Sequence, residues 1–122
     1  MSIYHHTFRF DAPLPSMQAD VMGRWVRGKY RERWHKRVAE QTLGKRPKQP
    51  LTQARVRLVR ASCTDQNRMD ADNLRYSFKA VLDGFVACGL LADDCYAVIG
   101  EPEVTTTHAP KGSGWISVEI EG

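Results

Sequence analysis

Asp70 and Asp72 stand two apart in the stretch RMDADN, and Asp93 and Asp94 follow after one apolar segment, in a chain whose formal net charge is +4. In an extended segment the i, i+2 spacing sets both carboxylates on one side. Like charges repel, and burying them adds to the cost. Four acids around one short segment therefore either stay apart in water or share a cation. Oxygen ligands without His or Cys suit a hard divalent ion, Mg2+ or Mn2+, which takes carboxylates together with substrate phosphate oxygens. Such an ion activates a water and stabilises a leaving oxygen in phosphodiester hydrolysis.

The same residues have an ordinary reading. An Asp just before a helix is a common N-cap, favoured also by the helix dipole, and Asp93 and Asp94 suit a turn. Lys79 lies seven residues after Asp72, close to two helical turns, and so projects from nearly the same face. Arg75 and Asp83 share that polar flank. A cation there can hold a phosphate or orient a nucleophile, or simply pair with Asp83 at i, i+4.

The elements that must position these groups follow from periodicity. Ile3 to Phe10 reads as a strand ended by DAPLPS. Tyr30, Trp34 and Val38 recur every four residues, predicting an amphipathic helix from Lys29 to Leu43, closed by Gly44, with a basic opposite face. GKRPKQP links it to a half-buried strand over Leu51 to Ser62. From Asp72, the stripe Leu74, Phe78, Val81, Leu82 and Phe85 predicts a second helix ending near Gly89. For Asp93 and Asp94 to rejoin Asp70 and Asp72, the chain must run back along this helix or approach from a neighbouring strand. Tyr96 to Thr107 is rich in Val, Ile and Thr, and Trp115 to Glu121 alternates; the glycine-containing loop between them predicts a hairpin, with Pro102 marking a bulge or an edge. The expected fold is an α+β domain with a mixed sheet of about four strands in the order β-α-β-α-β-β and two helices packed on it.

A chain of 122 residues fits one domain, taken as residues 1–122. Its apolar fraction of 42% and charged fraction of 26% decide only against gross disorder. The longest apolar run, Phe85 to Ala92, is far short of a membrane span, and the N-terminus has no basic and apolar leader, so the expected address is cytoplasmic, with no membrane partner. Cys63, Cys88 and Cys95 lack zinc or disulfide spacing and read as reduced structural thiols. Between Arg24 and Lys48 ten basic residues face two acidic ones, a charge of +8 that leaves −4 for the rest. Such a separation suits a polyanion held by the basic part and presented to an acidic site; a solvated basic helix and loop is the plainer alternative.

The run DADNLRYSFKAVLDGFVACGLLADD (residues 70–94) resembles the RusA family of Holliday junction resolvases, small bacterial and phage endonucleases. The family signature is Asp-x-Asp-Asn-Leu, a Lys, an Asp in the same helix, a Gly and a closing Asp-Asp. The lysine here stands one helical turn later than in some members, which carry it where this chain has Tyr76. The resemblance implies a homodimeric nuclease of a bacterial cell or its phage that makes paired cuts in four-way DNA junctions with Mg2+. It implies Asp70, Asp72 and Asp94 as the catalytic metal ligands, Asp93 as a weaker neighbour, and Lys79 as a group for catalysis or DNA contact.

The expected function is thus a Mg2+-dependent endonuclease, with Mn2+ as a substitute, that resolves four-way junctions in DNA recombination and repair. Arg24, Arg27, Lys29, Arg31, Arg68, Arg75 and Lys79 are the candidate contacts to DNA phosphates. Two-fold junction symmetry independently favours a dimer carrying one site per subunit. Two alternatives stay open: a branched-DNA-binding module without catalysis, and a small protein-interaction domain. His5, His6, His35 and His108 have no metal spacing. Glu101 and Glu103 suit either support of the metal site or a solvated strand face. Trp25 and Tyr30 suit either base stacking or packing.

Overall fold

The computed structural model describes residues 4–12, 24–62 and 78–122, and for residues 24–27 the backbone alone. Apolar alternation builds the sheet. β1 (His5–Phe10) buries Phe8 and Phe10, β2 (Arg55–Ser62) buries Val56 and Leu58, and β4 (Trp115–Glu121) buries Ile116, Val118 and Ile120. Period-2 side chains put these residues on one face, and the register agrees: Phe8 lies opposite Val118, which lies opposite Leu58.

Two helices supply most of what that face packs against. α1 (Arg24–Gln41) begins five residues earlier than its periodicity predicts, and it buries Trp34 and Val38 as expected. α2 (Lys79–Ala87) buries Val81, Leu82 and Phe85, with Phe78 just ahead of it; the predicted start of this helix, with Leu74, lies outside the described residues. Phe10 meets Trp34 edge-on at 5.5 Å, and Phe85 lies 5.4 Å from Phe8. Rings of this size each contribute roughly 1.5–3 kcal/mol by leaving water, so this aromatic group ties helices to sheet. The helices approach closely at Gly84, where a Cβ would stand 3.0 Å from Val38 Cγ2.

The C-terminal third departs from expectation. Tyr96–Ile99 is a short helix, α3, rather than strand, ended by Gly100 at φ +60°; β3 is only Glu103–His108. Pro102 fixes φ and removes a donor just ahead of β3. The predicted hairpin is absent: the sheet order is β1-β4-β2-β3, with β4 antiparallel to both β1 and β2, and β3 parallel to β2. The physical reason lies in the side chains. β4 buries three branched residues completely and needs neighbours on both sides, whereas the Thr-rich β3 is exposed nearly throughout and suits an edge. Leu51 lies ahead of β2 rather than in it.

The result is a small α+β arrangement of a four-stranded mixed sheet and, among the described residues, three helices rather than two. None of these helices is long and apolar enough to cross a membrane.

Candidate active site

β2 and β3 run parallel, so the chain between them must cross over. α2 lies within that crossover. In α/β arrangements the carboxyl end of such strands, facing a helix start, is the usual place for a ligand. The segment joining the end of β2 to the start of α2 carries Arg68, Asp70, Asp72 and Arg75, all outside the described residues.

Asp94 is described, and its position resolves which way the chain returns. α2 ends in a turn at Gly89, whose φ of +85° suits a residue without a Cβ. Leu90 and Leu91 then each donate a backbone hydrogen bond to Phe85 O at 3.1 Å, and both side chains are buried. Leu51 clamps this strand of chain from outside: its N–H donates to Leu90 O and its carbonyl accepts from Ala92 N–H, both at 2.9 Å. Held so, the chain runs back along α2. Asp94 arrives at the helix start, where Lys79 Nζ lies 3.5 Å from its Oδ2.

Lys79 also lies 3.8 Å from Asp83 Oδ1, the expected i, i+4 pair, and Asp83 Oδ2 is 3.7 Å from Arg31 Nε of α1. Arg31, Asp83, Lys79 and Asp94 therefore form a chain of alternating charge across two helices and the returning segment. The two acids keep only 20% and 23% of their side-chain surface, while both cations keep 61%. The carboxylates are thus fixed in partial shelter and the cations are long, mobile and wet. Asp93 is exposed, and its Oδ1 accepts the Asp94 backbone N–H at 2.7 Å. That bond makes Asp93 the group that shapes the turn and leaves Asp94 as the inward acid.

On α1, Lys29, Arg31, Arg33, Lys36 and Arg37 are exposed, so the helix presents the basic surface its sequence predicts. Lys29 lies 3.9 Å from Glu32, and the Arg37 guanidinium sits 4.9 Å over the Trp34 ring. The side chains of Arg24, Trp25 and Arg27 lie outside the described residues. Tyr30 is half-buried and packs edge-on against Trp34, and burial raises its phenol pKa; it belongs to the core rather than to a stacking surface.

Glu103 is on the open face of the sheet, where Arg55 and Arg57 donate to it at 2.8 and 3.0 Å. This is a salt-linked strand face, well accounted for without a metal. Cys88 is half-buried and Cys95 exposed, both as free thiols; Cys63 lies outside the described residues.

Arg60 is a charged residue at a buried position of β2. It shares the buried face with Val56 and Leu58 and is 7% exposed, and desolvation lowers its pKa. The signal was the parity itself, since Val56 and Leu58 predict an apolar residue at position 60. Among the described residues no group of three His, Cys, Asp or Glu side chains could hold a metal ion; of the expected ligands only Asp94 is described. No protein-family model and no curated protein matches this sequence.

Proposed function

We propose that this chain is a Mg2+-dependent, structure-selective DNA endonuclease that resolves four-way junctions by paired phosphodiester hydrolysis, in recombination and repair. The observation that carries the reading is the return of Asp94 to the start of α2, directly after the segment bearing Asp70 and Asp72. The family signature requires its last acid to rejoin its first two, and a backtracking chain is one way to do so.

Asp70, Asp72 and Asp94 would hold the metal. Their donor set is all oxygen, and the half-sheltered Asp94 carboxylate already draws in a cation, the Lys79 ammonium, so it fits a hard ion. When bound, Mg2+ or Mn2+ supplies an activated water and charge stabilisation at the leaving oxygen. The chain's own cations would do the rest: Lys79, 3.5 Å from Asp94, would meet the scissile phosphate, and exposed Lys29, Arg33 and Lys36 of α1 would neutralise the flanking backbone. Two such sites in a C2 homodimer match the near two-fold symmetry of a four-way junction.

Asp72→Asn tests the reading by separating cutting from binding. Cleavage of a synthetic junction is expected to vanish while binding holds or tightens, since a carboxylate that repels phosphate is removed. Undiminished cleavage by the variant, or a wild type that does not bind the junction, overturns it.

A further inference from the structure

β3 ends the sheet, and among the described residues no strand lies beyond it. We propose that its outer edge is a dimer seam: β3 of one copy pairs antiparallel with β3 of a second copy about a two-fold axis through Thr106, joining the two four-stranded sheets into one. The choice of a second copy as occupant rests on the two-site homodimer reading given above; the edge itself supplies the symmetry.

One hydrogen bond fixes which groups point outward. Ala109 N–H donates to Ser62 O of β2 at 3.0 Å, and along a parallel ladder residues bonded to the neighbour alternate with residues that are not. Glu103, Thr105 and Thr107 therefore bond to β2, and Val104, Thr106 and His108 turn their N–H and C=O groups away from it. The register runs from Arg57 opposite Glu103 to Ser62 opposite His108 without a bulge. The strand carries no lysine or arginine, and its one acid, Glu103, is held by Arg55 and Arg57. Bulges, charges and prolines within a strand are the usual guards of an edge, and none interrupts this one. β1, the opposite edge, carries Arg9, a charge of the guarding kind.

Two prolines set the centre of the seam. Pro102 and Pro110 stand outside the strand, equally far from Thr106 in sequence, and neither has an N–H to give. An antiparallel pair centred on Thr106 places Thr106 opposite Thr106 and Val104 opposite His108. It uses every outward residue of β3 and ends where a proline of one copy meets a proline of the other. Centring on Thr105 instead sets His108 against Pro102, and centring on Thr107 sets Val104 against Pro110; each loses a pair. With the axis at Thr106, Thr105 faces Thr107 across the seam, a pairing that strands favour, and Glu103 faces the uncharged Ala109. No like charges are opposed. Such an axis stands normal to the sheet, so both helix layers, with the basic surface of α1, lie on one side of the dimer and match the two-fold symmetry of a junction.

Sedimentation velocity of the purified chain at about 100 μM tests the seam. The wild type is expected to run as a dimer. Thr106→Lys sets like charges together at the axis, and Thr106→Pro removes an outward N–H that β2 does not use. Each should weaken dimerisation at least about tenfold, and Thr106→Lys should leave urea unfolding of the dilute, monomeric protein unchanged. Thr7→Lys, the same change on β1, should leave the dimer intact. A dimer that survives both Thr106 variants, or that Thr7→Lys weakens equally, pairs elsewhere; the seam is then overturned and the homodimer reading stands. A monomeric wild type also overturns the seam and leaves the edge to an extended strand of another protein. Two copies bound per junction would then preserve the two-site reading, and a single copy would end that too.

Discussion

Lys79 and Asp94 are fifteen residues apart in sequence, yet their charged atoms lie 3.5 Å apart because the chain doubles back along α2 from Gly89. A bent stretch of five residues after the Gly89 turn brings Asp94 within reach of the long Lys79 side chain. The Leu51 clamp holds that stretch against the helix. The acid pair at its end is thereby divided into an inward Asp94 and an outward Asp93.

That division makes the two aspartates unequal. Asp93→Asn keeps an oxygen that can accept the Asp94 N–H and should retain most junction cleavage. Asp94→Asn loses the partner of Lys79 and, on the proposed reading, a metal ligand, and should cut on the order of 100-fold more slowly or worse. Single-turnover cleavage rates of the two variants check this; equal losses contradict it.

Gly84 is where α1 and α2 meet. Alanine in its place gains up to about 1 kcal/mol of helix propensity, but its Cβ would press on Val38 Cγ2 and Cβ at 3.0 and 3.1 Å, and on a fully buried side chain. Overpacking of this kind costs about 1–3 kcal/mol, so Gly84→Ala should lower stability by about 1 kcal/mol in urea unfolding. Added to Val38→Ala, which opens space there, it should be neutral or stabilising.

Glu103 should titrate low. Hydrogen bonds from Arg55 and then Arg57 hold its carboxyl below its ordinary value of 4.5. A depressed carboxyl favours the folded state above the unfolded pKa, and that contribution is lost as pH falls through the lower folded value. Because the group is exposed, the sensitive measurement is its side-chain carboxyl 13C shift against pH rather than unfolding. The midpoint should lie below 4.5 and rise in Arg55→Gln/Arg57→Gln; a wild-type midpoint at or above the ordinary value contradicts the pairing.

The basic face of α1 predicts a salt signature. If Arg33 and Lys36 each neutralise one phosphate, replacing both with Gln should reduce the slope of log affinity against log salt by about 2, uniformly across DNA sequences. Junction-binding isotherms at several salt concentrations measure it, and an unchanged slope places the DNA elsewhere.

Much of this was legible in the sequence wherever burial imposes a period. Trp34 and Val38 on one helix, Val81 and Phe85 on the other with Phe78 just ahead of it, and the alternation of β4 are all buried as their spacing predicts. Strand pairing was not legible: β3 and β4 are consecutive and joined by a turn-like loop, and only the contrast between a Thr-rich, mostly exposed β3 and the three fully buried branched residues of β4 reveals that β2 lies between them. At the site, the Lys79–Asp83 pair follows from helical spacing alone. The approach of Asp94 depends on Leu51, a residue forty-three positions earlier, and long-range clamps of that kind leave no local pattern. Arg60 does leave one, a charge at an apolar parity, masked by the ordinary surface residues Arg55 and Arg57 beside it.

The most direct measurement is the cleavage of a synthetic four-way junction by purified wild-type protein with Mg2+, beside a linear duplex of the same sequence and a chelated control. Symmetric paired cuts in the junction, none in the duplex and none without the metal are the predicted result. Firm binding of the junction with both strands left intact in Mg2+ or Mn2+ would contradict it.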